Sequence, residues 1–159
     1  MHSEAVPQVI NFRRLLVTQS GHRPTTLELP VKIKLNSIFV DDQQKALDSY
    51  TNVLGFKKSQ DIPVGEYRWI QLASPEGGDA ELSLEPNVNP AAKAYQEALF
   101  EQGIPITAFE VDDLESEFRK LSDLGVTFTT EPTNAGDVAM AVFVDTCGNL
   151  IQIYQPEPE

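Results

Sequence analysis

Carboxylates, amides and two aromatic side chains are the groups in this chain whose types could do chemistry. Glu81, Glu85 and Glu110 are candidates for a general base, because desolvation in an apolar hollow raises a carboxyl pKa toward neutrality. Trp69 and Tyr154 offer flat faces on which a planar ligand would stack, with an N–H and an O–H to hydrogen-bond it. Gln71, Ser83 and Gln152 add neutral donors and acceptors. Histidine, a common ligand of transition metals, occurs only as His2 and His22, near the start of the chain. Cys147 is the single cysteine, and a thiol nucleophile needs a neighbouring base or cation that the surrounding Asp145 to Asn149 does not supply. A small residue filling a tight turn is the better reading.

The overall charge narrows the partners. Lys and Arg number 12 against 24 for Asp and Glu, a net charge of -12 that repels phosphate backbones and anionic membrane surfaces. No nucleic acid and no membrane is expected, and a small-molecule ligand is. A hydrophobic content of 41% argues against an acidic disordered chain, and no apolar run approaches the roughly 20 residues that cross a bilayer. One cysteine forms no internal disulfide, and the N-terminal residues lack an apolar secretion core, so a cytoplasmic setting is expected.

The elements that must position these residues come in a repeated order. Residues 1–30 combine Arg13, Arg14 and Arg23 with Pro7, Pro24 and Pro30 and read as a poorly ordered or loosely docked extension. A transit peptide is the weaker reading there, given Glu4 and the lack of amphipathic periodicity. From residue 31 a strand runs to Val40, Asp42 caps a helix carrying Ala46, Leu47, Tyr50 and Leu54 to Gly55, and three strands follow over 56–60, 67–73 and 81–85. Roughly seventy residues later the same order returns: a strand over 106–111, a helix begun by Asp112 and Asp113 and closed at Gly125, then strands over 126–130, 138–145 and 150–155. Val40-Asp41-Asp42 matches Val111-Asp112-Asp113, and Leu54-Gly55 matches Leu124-Gly125. Between the copies, the alanine-rich stretch after Pro90 predicts a linker helix stopped by Gly103.

Each βαβββ unit has one helix to cover one face of its sheet, and the other face must find another partner. The expected fold is α+β, two tandem βαβββ modules forming a curved, cup-like mixed sheet with the helices outside. The expected divisions are 1–30 for the extension, 31–86 for the first module, 87–104 for the helical linker and 105–159 for the second module. Strand alternation sends Leu82, Leu84, Ile151 and Ile153 toward the helices. It sends Glu81, Ser83, Glu85, Gln152 and Tyr154 into the hollow, joined by Trp69, Gln71 and Phe143.

These motifs resemble the vicinal oxygen chelate superfamily, which includes glyoxalase I, bleomycin resistance proteins and extradiol dioxygenases. The resemblance rests on Val40-Asp41-Asp42, Ala46, Leu47, Tyr50 and Leu54-Gly55-Phe56, on the Val111-Asp112-Asp113 repeat, and on Asp145-Thr146-Cys147-Gly148-Asn149 followed by Ile151-Gln152. Catalytic branches of that family place a divalent metal on His and Glu from the first and last strands of each module. By motif register those positions are here Leu35, Ser83, Ile106 and Gln152. Leu35 and Ile106 have no lone pair to give, and Ser83 and Gln152 are weak neutral ligands, so no metal and no cofactor is expected. The resemblance then implies a metal-independent cup that binds a small organic molecule, lined by Leu35, Trp69, Gln71, Ser83, Ile106, Gln152 and Tyr154. The alternative is a lyase, isomerase or dioxygenase that uses Glu81, Glu85 or Glu110 as a base or an atypical carboxylate metal site. The resemblance also implies a homodimer, and the sequence leaves open whether modules pair within a chain or between chains.

Overall fold

Eleven elements make up residues 31–156, the part of the chain that the computed structural model describes. The extension expected over residues 1–30 lies outside the described residues. In the first module, β1 (Leu35–Val40) is followed by α1 (Gln43–Asn52), β2 (Lys57–Val64), β3 (Tyr67–Ala73) and β4 (Glu81–Pro86). Helix α2 (Pro90–Glu101) leads to β5 (Thr107–Glu110), α3 (Leu114–Asp123), β6 (Phe128–Asn134), β7 (Val138–Val144) and β8 (Leu150–Pro156).

The caps explain where the helices begin. Asp42 accepts hydrogen bonds from the amides of Gln44 and Lys45, Asn89 accepts from Ala91, and Asp113 accepts from Ser116, each satisfying a donor that the first helical turn leaves free. Pro90 opens α2, where its missing N–H costs nothing.

Two four-stranded mixed sheets result, ordered β1-β4-β3-β2 and β5-β8-β7-β6. In each, the first strand of the module pairs in parallel with the last, and the other pairings are antiparallel. Alternation along the strands then builds two cores. Ile38, Val40, Ile70, Leu72, Leu82 and Leu84 face Ala46, Leu47 and Tyr50 of α1. Ala141, Phe143, Ile151 and Ile153 face Leu114 and Leu121 of α3. Phe143 was expected in the hollow; it packs in this helix-side core, with its ring 5.7 Å from that of Phe128. Opposite Ile151 across the ladder, it must share that residue's face.

The modules join within the chain along the open edge of β1. Among the carbonyls of that strand, Phe39 O accepts from Asn149 Nδ2 at 2.9 Å and from Gln96 Nε2 at 2.8 Å, and the Asp41 amide donates to Cys147 O at 3.4 Å. Leu54, Ile106 and Phe109 contact both cores, and the rings of Phe56 and Phe109 meet edge-on at 5.1 Å.

Candidate functional site on the polar faces of the sheets

The face of the first sheet turned away from α1 carries a small lattice of side chains. Register places Ser37, Ser83, Gln71 and Gln60 side by side across β1, β4, β3 and β2. In the next row Phe39 pairs with Glu85 and Ile62 with Trp69, while Val64 pairs with Tyr67 one step further. One half of this face is thus aromatic and aliphatic, the other polar.

The polar half is paired in part and open in part. Ser83 is buried and donates its hydroxyl to Glu85 Oε1 at 2.8 Å. Gln71 is only 8% exposed, and among the described residues its amide has no hydrogen-bond partner. The same holds for the indole N–H of Trp69, which is half-buried. Among the described residues no enclosed side-chain N or O lacks a partner, so these unpartnered groups reach the surface of the face and are free to bond a molecule that lies on it.

Gln43 shows how this end of the sheet is kept open. Direct pairing of β3 with β4 spans Gln71–Ser83 to Ala73–Glu81, although both strands run on past it. Where it stops, Gln43 of α1 bridges them: its Nε2 donates to Arg68 O at 2.6 Å and Leu84 O at 2.8 Å, and its Oε1 accepts from the Arg68 amide at 3.0 Å. A side-chain amide therefore replaces ladder bonds beside Trp69 and Glu85. Sequence reading missed Gln43, because nothing distinguishes a glutamine in a first helical turn from a solvated one.

On the second sheet, the face away from α3 carries Ala108 beside Gln152, with Val142 opposite Gln152, and Glu110 beside Tyr154, with Met140 opposite Tyr154. The Tyr154 hydroxyl donates to Glu110 Oε2 at 3.1 Å, a bond that raises the tyrosine pKa, with desolvation adding to it. Gln152 is half-buried and, among the described residues, has no side-chain partner.

Not every expected residue joins these faces. Leu35 does share the first face, in the row it forms with Glu81 and Ala73 beyond Ser37, Ser83 and Gln71. Ile106 precedes β5 and packs against both apolar cores, so its side chain serves the junction between modules. Glu81, beside Leu35 in that row, also borders a groove of about 770 Å³ with Asn36, Phe109 and Glu117 among its other walls. Glu85 and Glu110 each already accept a neutral donor. Among the described residues no three His, Cys, Asp or Glu gather where they could hold a metal ion. At the four positions that the resemblance gives to metal ligands, two side chains are aliphatic, one hydroxyl is committed to Glu85 and one is a neutral amide, a donor set that does not fit a divalent cation.

The Asp145 to Asn149 motif is structural. Asp145 is buried; its Oδ1 accepts from the amides of Cys147 at 2.8 Å and Asn149 at 2.9 Å, and its Oδ2 accepts from Asn149 Nδ2 at 2.7 Å and Tyr50 Oη at 2.9 Å. Thr146 and Gly148 take left-handed backbone conformations to close the turn. Cys147 is fully buried within it, and desolvation, followed by the nearby Asp145 charge, pushes its thiol up to about 12. Such a thiol is inert at neutral pH. Gln96 of α2 also donates to Cys147 O at 3.0 Å and Asn149 Oδ1 at 2.9 Å. An amide in line with Ala92 on the covered stripe of a helix was the sequence signal for that role.

With fold and faces in view, comparison gives the family. The chain belongs to the Glyoxalase/Bleomycin resistance protein/Dioxygenase superfamily, whose sequence profile matches residues 32–153. It is 56% identical to YurT of Bacillus subtilis (strain 168) over 126 residues, which are 79% of this chain and 99% of YurT. Among solved structures it is similar to UcmS2, with 26% identity and a TM-score of 0.69 over 78% of this chain and 97% of that one. It is also similar to TnmS3, an antibiotic binding protein from Streptomyces sp. CB03234, with 28% identity and a TM-score of 0.65 over 80% and 97% of the two chains. Among the described residues no helix is long and apolar enough to cross a membrane.

Proposed function

We propose that this protein binds a small organic molecule, without a metal ion, on the polar faces of its two sheets, and that a second copy of the chain helps to close those faces into a cup. The observation that carries the reading is Gln71, a largely buried side chain beside Trp69 whose amide reaches the surface of the face without a partner among the described residues, with half-buried and likewise unpartnered Gln152 on the second sheet. Binding of this kind needs positioned polar groups on an apolar surface and no reacting group. The similarity to an antibiotic binding protein supports it. Ile62 and Val64, about half exposed on the edge strand β2, supply an apolar rim that a second copy would cover. A single buried thiol suits a reducing compartment such as the cytoplasm.

The test is a thermal-shift screen of planar aromatic natural products, followed by calorimetry on the hits. Gln71→Leu is expected to weaken binding about tenfold, the value of a lost hydrogen bond to a buried ligand group, while preserving the fold. Unchanged affinity in that variant would remove the reading. Light scattering is expected to give twice the chain mass, and a monomer would remove the dimer from it.

A further inference from the structure

We infer that the ligand of the cup is a planar aromatic molecule carrying a positive charge, held by stacking on Trp69 and by the Glu85 carboxylate. This rests on the cup reading above and deepens it. Charge on the polar faces is one-sided. In the first module Glu85 lies in the row of Phe39, on the same side as Trp69. The basic side chains of those strands are engaged elsewhere: Arg68 and Lys58 bond Asp61 at the helix-side edge, and Lys57 donates to Pro75 O at 3.0 Å. The four strands of the second module contain no Lys or Arg at all, and their polar face carries Glu110.

Among the described residues Glu85 accepts one hydrogen bond, from Ser83, and a carboxylate can accept several, so capacity remains for a charged donor. Gln71, next to Ser83 in the lattice, points its unpartnered amide at the same ligand and would fix its orientation. An anionic ligand would meet carboxylates and, among the described strand residues, no free cation to offset its desolvation. A neutral ligand would gain the stacking on Trp69 and the Gln71 hydrogen bond, without the stronger charged contact to Glu85.

Three anthracenes that differ only in an aminomethyl, hydroxymethyl or carboxylate substituent test this, read by quenching of Trp69, the single tryptophan. The ammonium compound is expected to bind at least about tenfold more tightly than the alcohol, with the carboxylate weakest, as a charged hydrogen bond requires. Glu85→Gln should bring the ammonium compound level with the alcohol, and Glu85→Asp, which keeps the charge, should preserve its advantage. Glu115→Gln, exposed on α3, should leave the ranking intact. An alcohol or carboxylate that binds as tightly as the ammonium compound would overturn the charge assignment and leave the cup standing. So would an ammonium advantage that survives Glu85→Gln. Failure of all three compounds to quench Trp69 would bring down the cup reading itself, and this inference with it.

Discussion

Cys147 illustrates how burial turns a reactive residue into a structural one. Its folded-state thiol titrates at about 12, against roughly 8.5 in an unfolded chain. Below the unfolded value both states hold the proton and its stabilising contribution is complete. As pH rises from there toward 12, the unfolded chain releases its proton first, and stability falls. Urea midpoints of the protein and of Cys147→Ala should therefore converge between about pH 8 and pH 10.5. Iodoacetamide should leave the folded protein unlabelled at neutral pH. Tyr50 titrates in the same direction, since burial and the adjacent Asp145 raise its pKa well above the ordinary value. Tyr50→Phe should cost about 1–2 kcal/mol in denaturant unfolding, because Asp145 loses one donor of four, whereas Asp145→Ala, which strands all of them, should cost about 3 kcal/mol or more.

Elements depend on such residues where regular pairing gives out. Gln43 bridges β3 and β4 past the end of their ladder, so Gln43→Leu is expected to lose about 1–3 kcal/mol and to broaden the Trp69 emission, measured by melting and fluorescence. Gly148 holds φ at 95°, and a Cβ there would sit 3.0 Å from Gln96 Nε2. Gly148→Ala should cost about 1–3 kcal/mol through backbone strain and displacement of that amide. The elements themselves were legible because their signals are local. Asp42 and Asp113 cap where their helices begin, Pro90 opens the linker helix, and period-two alternation places Leu82, Leu84, Ile151 and Ile153 on the helix faces. Phe143 misled, since in the continuous apolar run Ala139 to Val144 both parities are hydrophobic and alternation cannot choose a face. Ile106 misled for a different reason: it stands just outside its strand, where the packing of Leu54 and Phe109 decides its direction.

At the scale of the molecule, duplication explains why a short chain can build two cores and still leave two polar faces free. The repeat was readable from its two motif matches, while the hydrogen bonds that join the copies were not, because Phe39, Gln96 and Asn149 lie far apart in sequence. Those bonds also have a protective side. The outward carbonyl of Phe39 belongs to a strand with no neighbouring strand on that flank among the described residues, the kind of border onto which foreign chains add themselves. Asn149 and Gln96 occupy it. A polypeptide cut after Pro86 would bare that border, and we expect such a half to grow into filaments that bind thioflavin T, while the intact protein stays dispersed under the same conditions.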